Sequence, residues 1–160
     1  MTFRKIRGFG LVEVIIATSL ILVFLVSLVA AYNLYLRLSL GNVRKVQATF
    51  LAEEGIEAVK LIRDSSWNGN IVPLSVDTLY YLAFSGSSWT ATTSRQLIDN
   101  IFDRTFVLSS VFRDSASDIV ESGGSLDPGS RKIVVSVSWF EHGATSTKTV
   151  STYITNLFNN

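Results

Sequence analysis

Residues 8–36 read GFGLVEVIIATSLILVFLVSLVAAYNLYL. From Val14 to Leu36 there are 23 consecutive positions without Asp, Glu, Lys or Arg. An α-helix needs about 20 apolar residues to span the ~30 Å hydrocarbon core of a bilayer. A secretory signal peptide has a shorter apolar region, of roughly 7–15 residues, that ends in a small-residue cleavage site. Here the run leads into Tyr35 and Arg37 instead, so we expect a retained membrane helix.

The charges around this run predict its orientation. Three basic residues, Arg4, Lys5 and Arg7, precede it, and basic residues favour the cytoplasmic side. Arg37 and Arg44 lie beyond the far end and weaken the contrast. We therefore expect a single-pass protein of the cytoplasmic membrane, with its N-terminus inside and the rest of the chain outside.

The part of the chain beyond the apolar run is slightly acidic. From Leu38 onward it holds 10 Lys and Arg against 12 Asp and Glu. Nucleic-acid-binding domains usually carry a basic patch or a high pI, so no direct nucleic-acid binding is predicted. The chain has no cysteine, and its stability must come from packing, assembly or a bound ion rather than from disulfides.

The helix is expected to continue past the membrane. No proline occurs before Pro73, and the cluster Asn68-Gly69-Asn70 is a helix stop signal. Gly41 is a candidate bend. Apolar residues recur at helical spacing at Ala48, Leu51, Ala52, Gly55, Ile56, Val59 and Ile62. We expect a leader over 1–8, a membrane helix over 9–37, an amphipathic helix over 38–67 and a β-rich head over 68–160.

The head shows the period of two that is typical of strands. Strands are expected at Leu79–Phe84, Thr105–Phe112, Arg131–Phe140 and Lys148–Thr155. Loops are expected at Ser85–Ser94, Ser122–Ser130 and Glu141–Thr147, and a short helix at Gln96–Phe102. An amphipathic helix needs a surface to cover its apolar face, and an antiparallel sheet provides one. The predicted fold is therefore α+β, with one long N-terminal helix packed on an antiparallel sheet of roughly four strands.

Glu13 is the unusual residue of the apolar segment. A carboxylate at the centre of a membrane helix costs roughly 2.5–3.5 kcal/mol, and less near the interface. No basic residue lies within the following 23 positions to pair with it. An ionisable residue in a membrane helix is by default interpreted as functional, with a partner elsewhere.

The stretch from Arg7 to Ala17 resembles the N-terminal signal of type IV pilins and type II secretion pseudopilins. In that family a short basic leader ends in glycine, phenylalanine follows, and the fifth residue after the cut is glutamate. Gly8, Phe9 and Glu13 stand at those positions. Gly10 departs from the family, which more often has Thr or Ser there. The motif is specific because it fixes residue types, spacing and context together.

The resemblance implies a sequence of processing and assembly. A prepilin peptidase would cut between Gly8 and Phe9 and methylate the new Phe9 amine. Glu13 of an incoming subunit would then pair with the N-terminal amine of a neighbour, and the apolar helices would bundle as the core of an extracellular filament. The implied partners are the prepilin peptidase, other pilin subunits, the inner-membrane assembly machinery and the membrane itself. No cofactor and no enzymatic activity are implied.

A weaker similarity extends into the second half of the helix. Residues 51–59, LAEEGIEAV, look like the helix of minor pilins of the PilV type. The leading hypothesis is a minor pilin or pilin-like subunit of a type IV filament. One alternative is a type II secretion pseudopilin. Another, from a different class, is a single-pass membrane protein whose outer domain binds a ligand without polymerising.

Other candidate sites carry weaker signals. Acidic side chains cluster around the Gly-rich loop at Asp114, Asp118, Glu121 and Asp127. Some pseudopilins bind calcium in this region, but no EF-hand spacing is present, and a solvated acidic loop is the simpler interpretation. His142 is the only histidine and is expected to be solvated. Trp67 and Trp139 are expected to pack, and Trp89 is the candidate exposed contact residue.

Overall fold

The computed structural model describes residues 10–141 and 143–158. The expected leader, residues 1–8, lies outside these ranges, as do Phe9 and His142. Two compact units divide between Val43 and Arg44. We describe them separately, as the N-terminal unit and the C-terminal unit.

One α-helix, α1, runs Leu11–Ser65. It covers residues 11–37 of the expected membrane helix and 38–65 of the expected amphipathic helix, and so ends two residues before the expected boundary at Trp67. It continues through Gly41, where we expected a bend or a frayed point. After Ser65 the chain makes one π-helical turn, Trp67–Ile71. Ser66 adopts an extended backbone, and its hydroxyl accepts the Gly69 N–H at 2.9 Å. The predicted stop signal thus lies in the capped turn that directly follows the helix.

Among the described residues, seven strands form one antiparallel sheet, more than the roughly four that we expected. They are β1 (Leu79–Ser85), β2 (Ser88–Thr92), β3 (Leu97–Ile98), β4 (Phe102–Arg113), β5 (Ile119–Val120), β6 (Ser125–Glu141) and β7 (Ala144–Thr155). The main order is β2-β1-β4-β6-β7, and the short strands β3 and β5 both pair with β4. Strands β2 and β7 are therefore the ends of this path.

Four local predictions were wrong. The expected loop Glu141–Thr147 is mostly strand, because Glu141 at the end of β6 pairs directly with Ala144 at the start of β7, and Gly143 between them has positive φ. The expected loop Ser85–Ser94 contains β2, because Gly86 and Ser87 both adopt positive φ and reverse the chain in a tight hairpin. The expected helix Gln96–Phe102 is instead β3 and a turn, in which Asp99 and Asn100 also have positive φ. The expected loop Ser122–Ser130 includes the first residues of β6, which pair with the end of β4.

The core of the C-terminal unit lies between α1 and one face of the sheet. The helix contributes Ala48, Ala52, Ile56, Ala58, Val59 and Ile62, all buried. From β6, Ile133, Val135, Val137 and Trp139 face them, as their alternation predicted. The predicted α+β fold, a long N-terminal helix packed on an antiparallel sheet, is confirmed.

Candidate functional site

The N-terminal unit presents an apolar helix surface that the protein itself does not bury. Every residue from Leu11 to Leu40 is exposed, and α1 contains a stretch long and apolar enough to cross a membrane, 0% of which is buried. Exposed apolar surface of this extent marks a contact with a membrane or with protein. The helix is therefore compatible with a single-pass membrane anchor.

Four polar side chains of this surface form hydrogen bonds within the helix. Thr18 and Ser19 donate to carbonyl oxygens one turn earlier, at 2.7–3.0 Å. Ser27 donates to Val23 O at 2.8 Å, and the Asn33 amide donates to Val29 O at 3.0 Å. Because an unsatisfied polar group in hydrocarbon costs several kcal/mol, these bonds suit the segment to a water-free environment.

Glu13 lies in the first turn of α1. Its backbone N–H donates to Gly10 O at 3.0 Å, and its carboxylate is close to the positive end of the helix dipole, which favours a negative charge. Within the described residues 10–36 it carries the only charge. The expected cleavage site, Gly8 and Phe9, lies outside the described residues, so its geometry stays a prediction.

A buried arginine that we did not predict anchors α1 to the sheet. Arg104 on β4 is 5% exposed. Its Nη1 atom donates to Glu54 Oε2 at 2.7 Å and to Leu51 O at 3.2 Å. Its guanidinium lies 5.2 Å from the centre of the Trp89 ring, within the range of a cation–π contact. The alternation Phe102, Arg104, Phe106 placed this arginine on the buried face and would have revealed it.

A second polar contact joins the start of the C-terminal unit to the end of β6. Glu141 is 9% exposed and accepts the indole N–H of Trp139 at 3.1 Å. Arg44 approaches the same carboxylate, with Nη1 3.7 Å from Oε1. Together with the Arg104–Glu54 pair, these contacts fix the position of α1 on the sheet.

Two of the four candidate calcium ligands, Asp114 and Asp127, form hydrogen bonds within the loop region around residue 120. Asp127 accepts a hydrogen bond from Arg113 Nε at 2.7 Å, and this bond, followed by one from Ser130, holds the pKa of Asp127 below its ordinary value. Asp114 Oδ1 accepts the N–H groups of Ala116 and Asp118. Within residues 10–141 and 143–158, no three His, Cys, Asp or Glu side chains are arranged to hold a metal. The four calcium candidates are not brought together.

The three tryptophans differ in how far they are buried. Trp67 and Trp139 are buried, at 2% and 4% exposure. Trp89, the candidate contact residue, is partly buried and packs against Phe84, with ring centres 5.1 Å apart, and against Arg104. All three therefore have packing roles in the C-terminal unit.

Comparison of the chain with family models, with curated proteins and with solved structures finds no match in any of the three. The function must accordingly be argued from the residues and their arrangement.

Proposed function

We propose that this chain is a structural subunit, a minor pilin or pilin-like protein, of a type IV pilus-type filament. It would be cleaved after Gly8, methylated at Phe9 and assembled through its apolar helix. The observation that carries this proposal is Glu13 in the first turn of α1, because it is the only charged residue in the exposed apolar segment 11–36. Membrane residence alone gives no reason for a charge at that position.

The physical argument concerns how that charge is neutralised. Cleavage after Gly8 removes Arg4, Lys5 and Arg7 and creates one positive amine at Phe9. An unpaired carboxylate in an apolar bundle is costly, and so is an unpaired amine. A contact between Glu13 of one subunit and the Phe9 amine of another neutralises both charges. Because only one axial register allows this pairing, the pair specifies assembly as well as stabilising it.

The C-terminal unit suits the role of an exposed head. Its weak acidity and its packed sheet are those of a surface domain, and its polar clusters, Arg104–Glu54 and Arg44–Glu141, hold helix and sheet together. A rigid head is required if contacts between the helices of neighbouring subunits are to set a fixed spacing between those subunits. None of its described acidic clusters is arranged as a metal site.

The test is the N-terminal mass of the chain extracted from membranes of the cells that make it. We expect a mature species that begins at Phe9 and carries one additional methyl group on its amine. A chain that retains Met1 would remove the basis for assembly by this route and would leave the non-polymerising membrane protein as the better interpretation.

A further inference from the structure

A groove lies between α1 and the helix-facing side of β7. It has a volume of about 330 Å³ and is lined by Lys45, Thr49, Trp139, Ser146, Thr147 and Lys148. Lys148 pairs in register with the buried Val137, which places its side chain on the helix-facing side of the sheet. Since β7 ends the strand order, this side chain remains exposed.

The charge of this groove has one sign. Lys45 and Lys148 are both exposed, and neither forms an ion pair among residues 10–141 and 143–158. The residues that line the groove include no Asp or Glu. Two cations beside the Trp139 ring favour an occupant that offers carboxylates together with an apolar side chain.

The face of α1 that points away from the sheet offers that combination. Val46, Phe50, Glu53 and Glu57 follow each other at intervals of four, three and four residues, which places them on one helix face. Phe50 is 65% exposed and Val46 is 54% exposed. Glu53 is exposed and has no ion pair in the described chain, while Glu57 holds Lys60 at 2.7 Å. We call these four residues the outer stripe.

Lipid does not account for the outer stripe. The 23 residues from Val14 to Leu36 rise about 35 Å as a helix and already exceed the ~30 Å hydrocarbon core. Phe50 belongs to the C-terminal unit and lies outside this stretch. A partner that covers Phe50 is therefore a protein surface.

We propose that the outer stripe of one copy docks into the Lys45–Lys148 groove of a second copy. This inference rests on the proposed function and names the contact between neighbouring subunits in the filament. The stripe and the groove are different surfaces, so the contact is heterologous. Each pair of copies leaves one stripe and one groove unoccupied, and the addition of further copies at these two surfaces gives an open filament. Glu53 is the residue that meets the lysines, and Phe50 packs beside Trp139.

The positions of the charges set the stagger. Glu53 follows Lys45 by eight residues, which is a rise of about 12 Å along the helix. Two parallel copies displaced by that distance bring Glu53 of one beside Lys45 of the other. The copy that contributes the glutamate is the one displaced toward the N-terminal end of the helices.

Charge reversal with rescue tests this contact in full-length chain expressed in cells that lack the wild-type copy. We expect Lys148→Glu and Glu53→Lys each to reduce incorporation into sheared filaments by at least about tenfold, because each opposes like charges. The double variant should recover most of the incorporation, since the pair is restored with opposite polarity. The matched control is Lys132→Glu, at an outward-facing position of β6, which should incorporate like wild type.

The absence of cysteine from the chain allows a direct geometric test. Lys45→Cys combined with Glu53→Cys should give a ladder of disulfide-linked multimers on mild oxidation. Either single variant, and Glu53→Cys combined with Lys132→Cys, should give dimers at most. A ladder no stronger than in these controls, or charge-reversal variants that incorporate normally, would overturn the contact.

The proposed function and this contact fail in different ways. Filaments that contain a chain beginning at Phe9, but give no ladder, would refute the contact and leave the function standing. A ladder formed by a chain that retains Met1 and never leaves the membrane would support the contact and refute the filament role.

Discussion

A Cβ atom placed on Gly55 of α1 would lie 2.8 Å from Cγ1 of Val135 on β6. Such a distance is far shorter than an ordinary van der Waals contact of 3.5–4.0 Å between carbons. Glycine at position 55 is therefore what lets the helix backbone rest directly on the centre of the sheet. The same built atom would lie 3.2 Å from Cδ of Arg104, so this close approach also shapes the buried arginine site.

Gly55→Ala should destabilise the C-terminal unit despite the better helix propensity of alanine. The propensity gain is about 1 kcal/mol, whereas overpacking a core costs typically 1–3 kcal/mol. We expect a net loss of about 1 kcal/mol in the free energy of unfolding. The measurement is denaturant unfolding of the full chain in detergent, followed by tryptophan fluorescence, since all three tryptophans lie in this unit.

A double-mutant cycle with Val135→Ala separates the clash from other causes. Removing Cγ1 of Val135 provides room for the new Cβ, so the double variant should be more stable than the sum of the single effects by about 0.5 kcal/mol or more. Strict additivity would show that the 2.8 Å approach is not the source of the loss.

Glu54→Ala should cost about 1–2 kcal/mol in unfolding free energy, because it leaves the buried Arg104 cation without its carboxylate partner. The matched control is Glu57→Ala, one turn further along the same helix, which breaks the exposed pair with Lys60. Exposed pairs contribute roughly 0–1 kcal/mol, so this control should stay close to wild type. Equal losses in the two variants would mean that Arg104 does not depend on Glu54.

The Arg113–Asp127 pair gives stability that depends on pH. The hydrogen bond from Arg113 lowers the pKa of Asp127 from its ordinary 3.8. A carboxyl whose folded-state pKa is depressed stabilises the fold above its unfolded-state pKa, and this contribution is lost as the pH falls through the folded-state value. Asp127→Asn should therefore lower Tm at pH 7. Its difference from wild type should begin to shrink as the pH falls below about 3.8 and should vanish only below the lower, folded-state pKa.

Asp118→Asn is the control for that series. Asp118 lies in the same loop, and its carboxylate forms no ion pair within the described chain. Its Tm should follow wild type across the whole pH range. A gap between Asp127→Asn and wild type that persists unchanged at low pH would exclude the ionised pair as the cause.

Most of the fold followed from periodicity. The three-and-four spacing from Ala48 to Ile62 and the alternation from Ile133 to Trp139 each report which side chains face a core, and these faces meet as predicted. The expected strand Thr105–Phe112 lies within the longer β4. A regular pattern of burial can be predicted from the sequence because apolar residues then recur at a fixed spacing.

The errors occurred where backbone conformation decided the structure. The two-residue turn Gly86-Ser87 and the three-residue turn that includes Asp99 and Asn100 use positive φ, for which glycine, aspartate and asparagine are signals. β2 is rich in Ser and Thr and shows little apolar alternation. The start of β6 depends on Gly124, where a Cβ would lie 2.6 Å from Arg113 O, and that close approach exists only in three dimensions.

The candidate sites were predictable to different degrees. Glu13 was recognisable because a charge interrupts an apolar run. Arg104 was not predicted because arginine is usually exposed unless it is paired, although its place between Phe102 and Phe106 marks a buried position. The pairing of Arg104 with Glu54 joins residues 50 positions apart, and only the packed structure reveals it.

Glu13→Gln should separate processing from assembly. The amide has nearly the same shape but no charge, so membrane insertion and cleavage after Gly8 should be unchanged. Incorporation into filaments should fall, because a neutral side chain does not neutralise a neighbour's Phe9 amine. The measurement is the ratio of chain in sheared filaments to chain in membranes, and normal incorporation of the variant would show that the proposed charge pair is dispensable.

The most direct test of the filament role is to follow the chain into sheared surface filaments. An epitope tag after residue 160 would be followed in filaments removed from intact cells and in the remaining membranes, with mass analysis of the N-terminus in each fraction. We expect the filament fraction to contain the tagged chain beginning at methylated Phe9. Tagged chain confined to the membrane fraction, in cells that still make filaments, would contradict the central claim.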